Sequence, residues 1–117
     1  MHRFKDLEIW KLIRIFCSEI YIITSNFPNS EKFRLTNQLR RSSVYVPSNI
    51  AEGCSRSSNK YFSRFLEIAI GSIYEIETQL LISFDVGYIN QSKLDELSFT
   101  IDRIVKMTSK FRSTLKI

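Results

Sequence analysis

Apolar side chains recur every three or four positions from residue 62 to residue 84, without a break. This spacing places them on one face of an α-helix, which turns about once every 3.6 residues. The 117 residues include only three Gly and two Pro, which leaves little material for tight turns. We therefore predict an all-α fold and a long helix here, ended by Gly87. The stripe consists of Phe62, Phe65, Leu66, Ala69, Ile73, Ile76, Leu80 and Phe84.

Three other segments have the same helical period. The first extends from Asp6 to about Asn26, and the second carries its apolar face from Leu35 to Ile50. The last carries its apolar face from Leu94 to Leu115. Because short connections favour antiparallel neighbours, we predict an up-down-up-down four-helix bundle. At this length the bundle is expected to be a single domain, residues 1–117.

Polar residues precede the predicted helices and are suited to cap them. Asn29 or Ser30 is expected to cap the second helix, and Ser57 or Ser58 the third. Asn90 is expected to cap the fourth. Each of these side chains has an oxygen that can accept hydrogen bonds from the free N–H groups of a first helical turn.

Pro47 lies inside the pattern of the second helix. Because proline lacks an N–H and its ring clashes with the preceding turn, we predict a kink there. Asn49 and Glu52 follow closely, but one carboxylate without a His, Lys or second acid nearby is a poor general acid or base. We interpret them as a structural polar cluster that provides partners for freed backbone groups and for Arg40 or Arg41.

The long third helix also carries apolar residues away from its main stripe. A helix that is hydrophobic nearly all round is usually buried, whereas each helix of a monomeric bundle has a solvent face. The pattern therefore predicts that this helix contacts another subunit. The predicted interface residues are Ile68, Tyr74, Leu81, Ile82 and Val86.

Positive charge is concentrated in one part of the chain. The formal net charge is +5, and residues 30–64 hold seven basic residues against two acidic ones. Residues 65–90 hold four acidic residues and no basic one. Guanidinium groups suit phosphate because their planar fork donates two hydrogen bonds at once. The predicted nucleic-acid-binding residues are Arg40, Arg41, Arg56, Lys60 and Arg64.

Two other interpretations of these charges remain open. The arginines are equally compatible with a solvated face in which some pair with Glu52 or Glu67. A second candidate surface lies on the fourth helix, at Arg103, Lys106 and Lys110. Among the aromatic residues Tyr45 is the candidate for stacking on a base, since it shares a face with Arg34 and Arg41, and it is equally a candidate for a subunit contact. Most of the others lie on or beside core stripes and are interpreted as packing residues; they are Trp10, Tyr21, Tyr61, Phe62 and Tyr74.

Metal, cofactor and catalytic motifs are not recognisable in the sequence. Cys17 and Cys54 lack C-x-x-C spacing, so we expect free thiols or small buried side chains. The only histidine, His2, lies at the terminus and activates no serine. The most apolar stretch, residues 65–86, contains four acids, which argues against a membrane span. A cytoplasmic protein without cofactors is the expectation.

Four short stretches form a recognisable pattern: residues 4–10 (Phe-Lys-Asp-Leu-Glu-Ile-Trp), 38–53 (with Val-Pro-Ser-Asn-Ile-Ala-Glu-Gly), 64–72 and 75–80. In order and spacing they cover nearly the whole chain. They resemble a known family, the four-helix-bundle proteins named for intervening sequences in 23S ribosomal RNA. The sequence departs from the usual pattern at Arg34, where the family commonly has glycine, and at Tyr45 and Cys54.

The resemblance implies a homopentameric ring and no catalytic residues. The family is also similar in fold to the accessory protein of diversity-generating retroelements, a basic pentameric barrel that binds nucleic acid and a reverse transcriptase. We therefore expect a non-enzymatic oligomeric scaffold that binds RNA or DNA backbone. The first alternative is a protein-binding adaptor, such as a reverse transcriptase accessory, whose basic face meets an acidic partner. The second alternative is an enzyme.

Overall fold

The computed structural model describes residues 2–117 and contains four α-helices. They are α1 (Glu8–Thr24), α2 (Leu35–Cys54), α3 (Asn59–Asp85) and α4 (Gln91–Ser113). Short 3-10 helices at Phe4–Asp6 and Asn29–Glu31 precede α1 and α2, and the described residues form no strand. The predicted all-α four-helix bundle is confirmed. The predicted domain begins at Met1, which lies outside the described residues.

Two of the predicted caps are present. The Ser58 hydroxyl accepts a hydrogen bond from the Tyr61 N–H at 3.3 Å, and Asn90 Oδ1 accepts one from the Lys93 N–H at 2.8 Å. Gly87 follows the end of α3 with a φ of +85°, a conformation that glycine adopts without the steric cost of a Cβ.

The predicted cap of α2 at Asn29 or Ser30 is wrong. The chain first makes two tight turns, in which the Glu31 N–H donates to the Pro28 carbonyl and the Arg34 N–H to the Glu31 carbonyl. These turns satisfy the backbone locally and delay the start of α2 to Leu35. Arg34 precedes the helix and makes no capping bond with its side chain.

The predicted stripe of α3 faces the core. Its residues from Phe62 to Leu80 are buried, except Phe65, which is half-buried like Phe84 at the far end. Apolar side chains of α1, α2 and α4 complete the same core. The largest fully buried side chains are Ile13, Ile20, Leu39, Val46, Ile50, Leu66, Ile73, Ile76, Leu80, Leu97, Ile101 and Ile104.

Contacts between helices join opposite ends of neighbours. Thr24, at the end of α1, bonds to Arg40 near the start of α2, and Arg112, near the end of α4, bonds to Ser63 near the start of α3. Antiparallel packing produces such pairs. The full up-down-up-down order and the kink remain predictions, and α2 contains Pro47 within its helical span.

Candidate nucleic-acid interface

The five predicted basic residues fall into two groups. Arg40 and Arg41 lie near the start of α2, whereas Arg56, Lys60 and Arg64 lie where α2 gives way to α3. From Arg40 to the end of α2 at Cys54 the helix rises about 21 Å along its axis, and Arg56 lies beyond that end. The structure therefore does not bring all five together in one patch.

Arg40 ties α2 to the end of α1. Its Nε donates to Thr24 Oγ1 at 2.9 Å, and its Nη2 donates to the Tyr21 carbonyl at 3.3 Å. The guanidinium also lies 4.8 Å from the centre of the Tyr21 ring. A cation beside the last carbonyls of a helix is favoured by the helix dipole. Arg40 thus helps to hold α2 against α1.

Arg41 is exposed and contacts the tyrosine one turn later. Its Nε donates to the Tyr45 hydroxyl at 3.3 Å, and its guanidinium lies 5.8 Å from the ring centre. The predicted neighbourhood of Arg41 and Tyr45 is therefore present. Tyr45 is 46% exposed.

The second group has one paired and two unpaired members. Arg56 lies 3.7 Å from the Glu52 carboxylate and 4.9 Å from the centre of the Phe65 ring. Lys60 and Arg64 are exposed and belong to none of the five ion pairs among the described residues. Residues four apart on a helix share a face, so Lys60 and Arg64 place two free cations side by side.

A groove opens beside this second group. It has a volume of about 610 Å³ and combines two arginines with aromatic and hydroxyl side chains. Tyr61 is 58% exposed within it, although the sequence pattern had placed that residue among the packing aromatics. The lining residues are Ser55, Arg56, Ser57, Tyr61, Arg64, Phe65 and Ile68.

Asn49 and Glu52 have structural contacts, but not with the predicted arginines. Asn49 Nδ2 donates to the Tyr45 carbonyl at 2.8 Å, within α2. Glu52 pairs with Arg56 one turn further along. Arg40 is already engaged with α1 and Arg41 with Tyr45, which is why neither needs these partners.

The predicted interface residues of α3 are uncovered in the protomer. Ile68, Tyr74, Leu81, Ile82 and Val86 are all between 46% and 55% exposed. They do not form one stripe. At about 100° per residue, Tyr74 and Leu81 lie between about 80° and 140° around the helix from Ile68 and Ile82.

The basic face of α4 contains an aromatic residue that sequence reasoning missed. Arg103, Lys106 and Lys110 are exposed, and Phe99 is 73% exposed. Phe99 lies four residues before Arg103, hence on the same face. The signal available in the sequence was the position of Phe99 two residues after Leu97, away from the core stripe.

Arg112 is another residue that sequence reasoning missed. Its Nε donates to the hydroxyl and the carbonyl of Ser63 at 2.9 and 3.2 Å, and its Nη2 donates to Glu67 Oε2 at 3.0 Å. This cluster holds α4 against α3 and uses the acid that sequence reasoning had offered as a partner for the α2–α3 arginines.

The cysteines are free thiols. Burial raises the pKa of the Cys54 thiol, which disfavours the thiolate and leaves the side chain as a small packing group. Within residues 2–117, no three side chains of the usual metal-ligating types come together. None of the helices in that range has both the length and the hydrophobicity needed to cross a bilayer.

Comparison with known proteins decides the family. The family model for the 23S rRNA-intervening sequence protein matches residues 5–110. The chain belongs to this family. The match includes all of α1, α2 and α3 and nearly all of α4, so the helices that build the candidate interface are family elements.

A solved structure shares the fold. It is the crystal structure of a protein with unknown function from the S23 ribosomal protein family of Bacteroides thetaiotaomicron. The two chains align with a TM-score of 0.83 over 91% of this chain and 96% of the other, at 22% sequence identity. No curated protein matches the sequence.

Proposed function

We propose that this protein is a non-enzymatic oligomeric scaffold that binds the backbone of RNA or DNA through the basic side chains beside the α2–α3 connection. The observation that carries the proposal is the free pair Lys60 and Arg64, next to Arg56, on an exposed part of α3. Unpaired surface cations bind phosphates by releasing the counterions that surround nucleic acid. Such contacts fix position on the strand without reading its sequence.

The charge of the whole chain supports the same partner. A net charge of +5 attracts a polyanion over a longer range than any single contact. Assembly would strengthen this attraction, because a ring repeats the same charge around one axis. Arg41 is also exposed, near the start of α2 and apart from the α2–α3 connection, where it adds a separate positive charge to the surface.

We propose that assembly uses the exposed apolar residues of α3 and forms a ring, with five subunits as the family resemblance implies. The two stripes on α3 support this arrangement. In a cyclic ring each subunit offers two different surfaces to its two neighbours. The stripe with Ile68 and Ile82 would serve one contact, and the stripe with Tyr74 and Leu81 the other.

Charge reversal tests the binding proposal. Lys60→Glu combined with Arg64→Glu is expected to weaken binding to a short RNA or DNA at least tenfold, because two phosphate contacts become repulsive. The measurement is fluorescence anisotropy across a salt series. The wild-type log affinity should fall linearly with log salt, and light scattering should show the same oligomer mass for the variant.

The matched control is Arg103→Glu combined with Lys106→Glu, which changes the net charge equally on the α4 face. Retained binding by the α4 variant supports the proposed surface. Binding lost only in the α4 variant would contradict it and move the interface to α4. If the intact oligomer binds neither RNA nor DNA at low salt, the proposal fails and a protein-binding adaptor replaces it.

A further inference from the structure

We infer that the groove beside the α2–α3 connection holds an unpaired base of single-stranded nucleic acid, with the base on Tyr61 and flanking phosphates on Arg56 and Arg64. This inference rests on the proposed function and names its substrate class. The groove volume of about 610 Å³ is that of a small-molecule site.

Tyr61 has the properties of a stacking platform. Its side chain is 58% exposed, and among the described residues its ring belongs to no aromatic pair or cation–π contact. The backbone of Tyr61 is held by the Ser58 cap, so the platform sits on a fixed first turn of α3. Stacking of a base on such a ring tolerates any sequence, since every base has a π-face.

The two arginines of the groove differ in their freedom. Arg56 lies over the Phe65 ring at 4.9 Å and within 3.7 Å of Glu52, which confines its guanidinium to the groove wall. Arg64 has no ion pair among the described residues and lies three residues after Tyr61, on the same side of α3. A confined arginine and a free one therefore line the same groove as the exposed ring.

The remaining lining favours a nucleotide over a simple anion. Besides the arginines, the lining includes the exposed Tyr61 ring and the Ser57 hydroxyl. A phosphate ion alone would leave the Tyr61 ring uncovered. A paired duplex would also leave it uncovered, because its bases stack on each other. A single strand supplies both a free base face and phosphates.

Tyr61→Ala tests the groove directly. We expect it to weaken binding of a labelled single strand roughly tenfold by removing one stacked base. Duplex affinity should stay unchanged, and Tyr61→Phe, which keeps the ring, should bind like the wild type. Phe99→Ala is the matched control, since it removes an exposed aromatic residue beside the basic residues of α4. Because Tyr61 is exposed, circular dichroism should show unchanged helicity in both tyrosine variants.

A second readout locates the base. A single strand containing 4-thiouridine, irradiated in the complex, should cross-link within residues 55–68, as mapped by mass spectrometry. Equal affinity for single strand and duplex, with no effect of Tyr61→Ala, would contradict base binding in the groove but would be compatible with backbone binding. Loss of affinity in Phe99→Ala alone would also contradict base binding there. If neither the single strand nor the duplex binds at low salt, the result contradicts the proposed function itself and not only base binding in the groove.

Discussion

Arg40 and Arg41 are neighbours in sequence, but their side chains have different environments. The guanidinium of Arg40 is half-buried against the last turn of α1, whereas that of Arg41 points to Tyr45 on the exposed side of α2. One step along a helix rotates a side chain by about 100°, which is enough to separate a structural arginine from a surface one.

Substitution by glutamine should separate these two roles. Arg40→Gln is expected to lower the free energy of unfolding by about 1 to 2 kcal/mol, since it removes a hydrogen bond from a charged donor to Thr24 and another to Tyr21. Arg41→Gln should change stability by less than about 0.5 kcal/mol, as exposed substitutions usually do. Urea unfolding measures both. Equal effects of the two variants would contradict the assignment.

At the scale of helices, α2 and α3 approach closely at one glycine. A Cβ added to Gly53 would lie 2.8 Å from Phe62 Cδ1 and 2.9 Å from Phe65 Cβ. The Phe65 Cβ is fixed to the backbone of α3, so only a shift of the helices would make room. Gly71 is also helical, but a Cβ there would meet nothing within 4 Å.

Because these two glycines have different surroundings, we predict opposite effects of replacing each with alanine. Gly53→Ala should destabilise the protein by about 1 to 3 kcal/mol through overpacking. Gly71→Ala should stabilise it by about 0.5 to 1 kcal/mol, because alanine loses less backbone entropy in a helix. Thermal or urea unfolding at one protein concentration compares them. A stabilising Gly53→Ala would show that α2 and α3 have room to separate.

For the molecule as a whole, the proposed assembly depends on which exposed apolar side chains meet another copy, and α1 and α3 offer two candidate surfaces. Ile82 of α3 is 47% exposed and belongs to the predicted interface. On α1, Ile15 and Ile22 are 65% and 68% exposed, and sequence reasoning assigned them no role. They are seven residues apart and so form a second apolar strip.

In the proposed ring, Ile82→Glu is expected to reduce the assembly to smaller species, because it would bury an unpaired carboxylate at the proposed subunit contact, which is costly. Ile15→Glu is the matched control and should leave the assembly intact. Light scattering after size exclusion measures the mass of each. If Ile15→Glu dissociates the oligomer and Ile82→Glu does not, the contact lies on α1.

The four helices, the core face of α3, the cap at Asn90 and, as one of two candidates, the cap at Ser58 followed from the sequence alone. These features depend on the spacing of apolar residues within one segment and on hydrogen bonds spanning three or four positions. The family also followed, because each of its matching stretches is an unbroken run of residues that can be read along the chain. The cap of α2 did not, since the competing turns before Leu35 leave no periodic signal.

Whether each basic side chain is free to bind a phosphate depended on how the helices pack. Arg40 bonds to a residue sixteen positions earlier, and Arg112 to one forty-nine positions earlier. No pattern along the chain predicts such a pair, since the partners meet only when separate helices pack together. The same packing exposes Tyr61 beside Arg64 and confines Arg56 against Phe65. Helix formation is local in this chain, whereas the shape and free charge of its surface arise from contacts between helices.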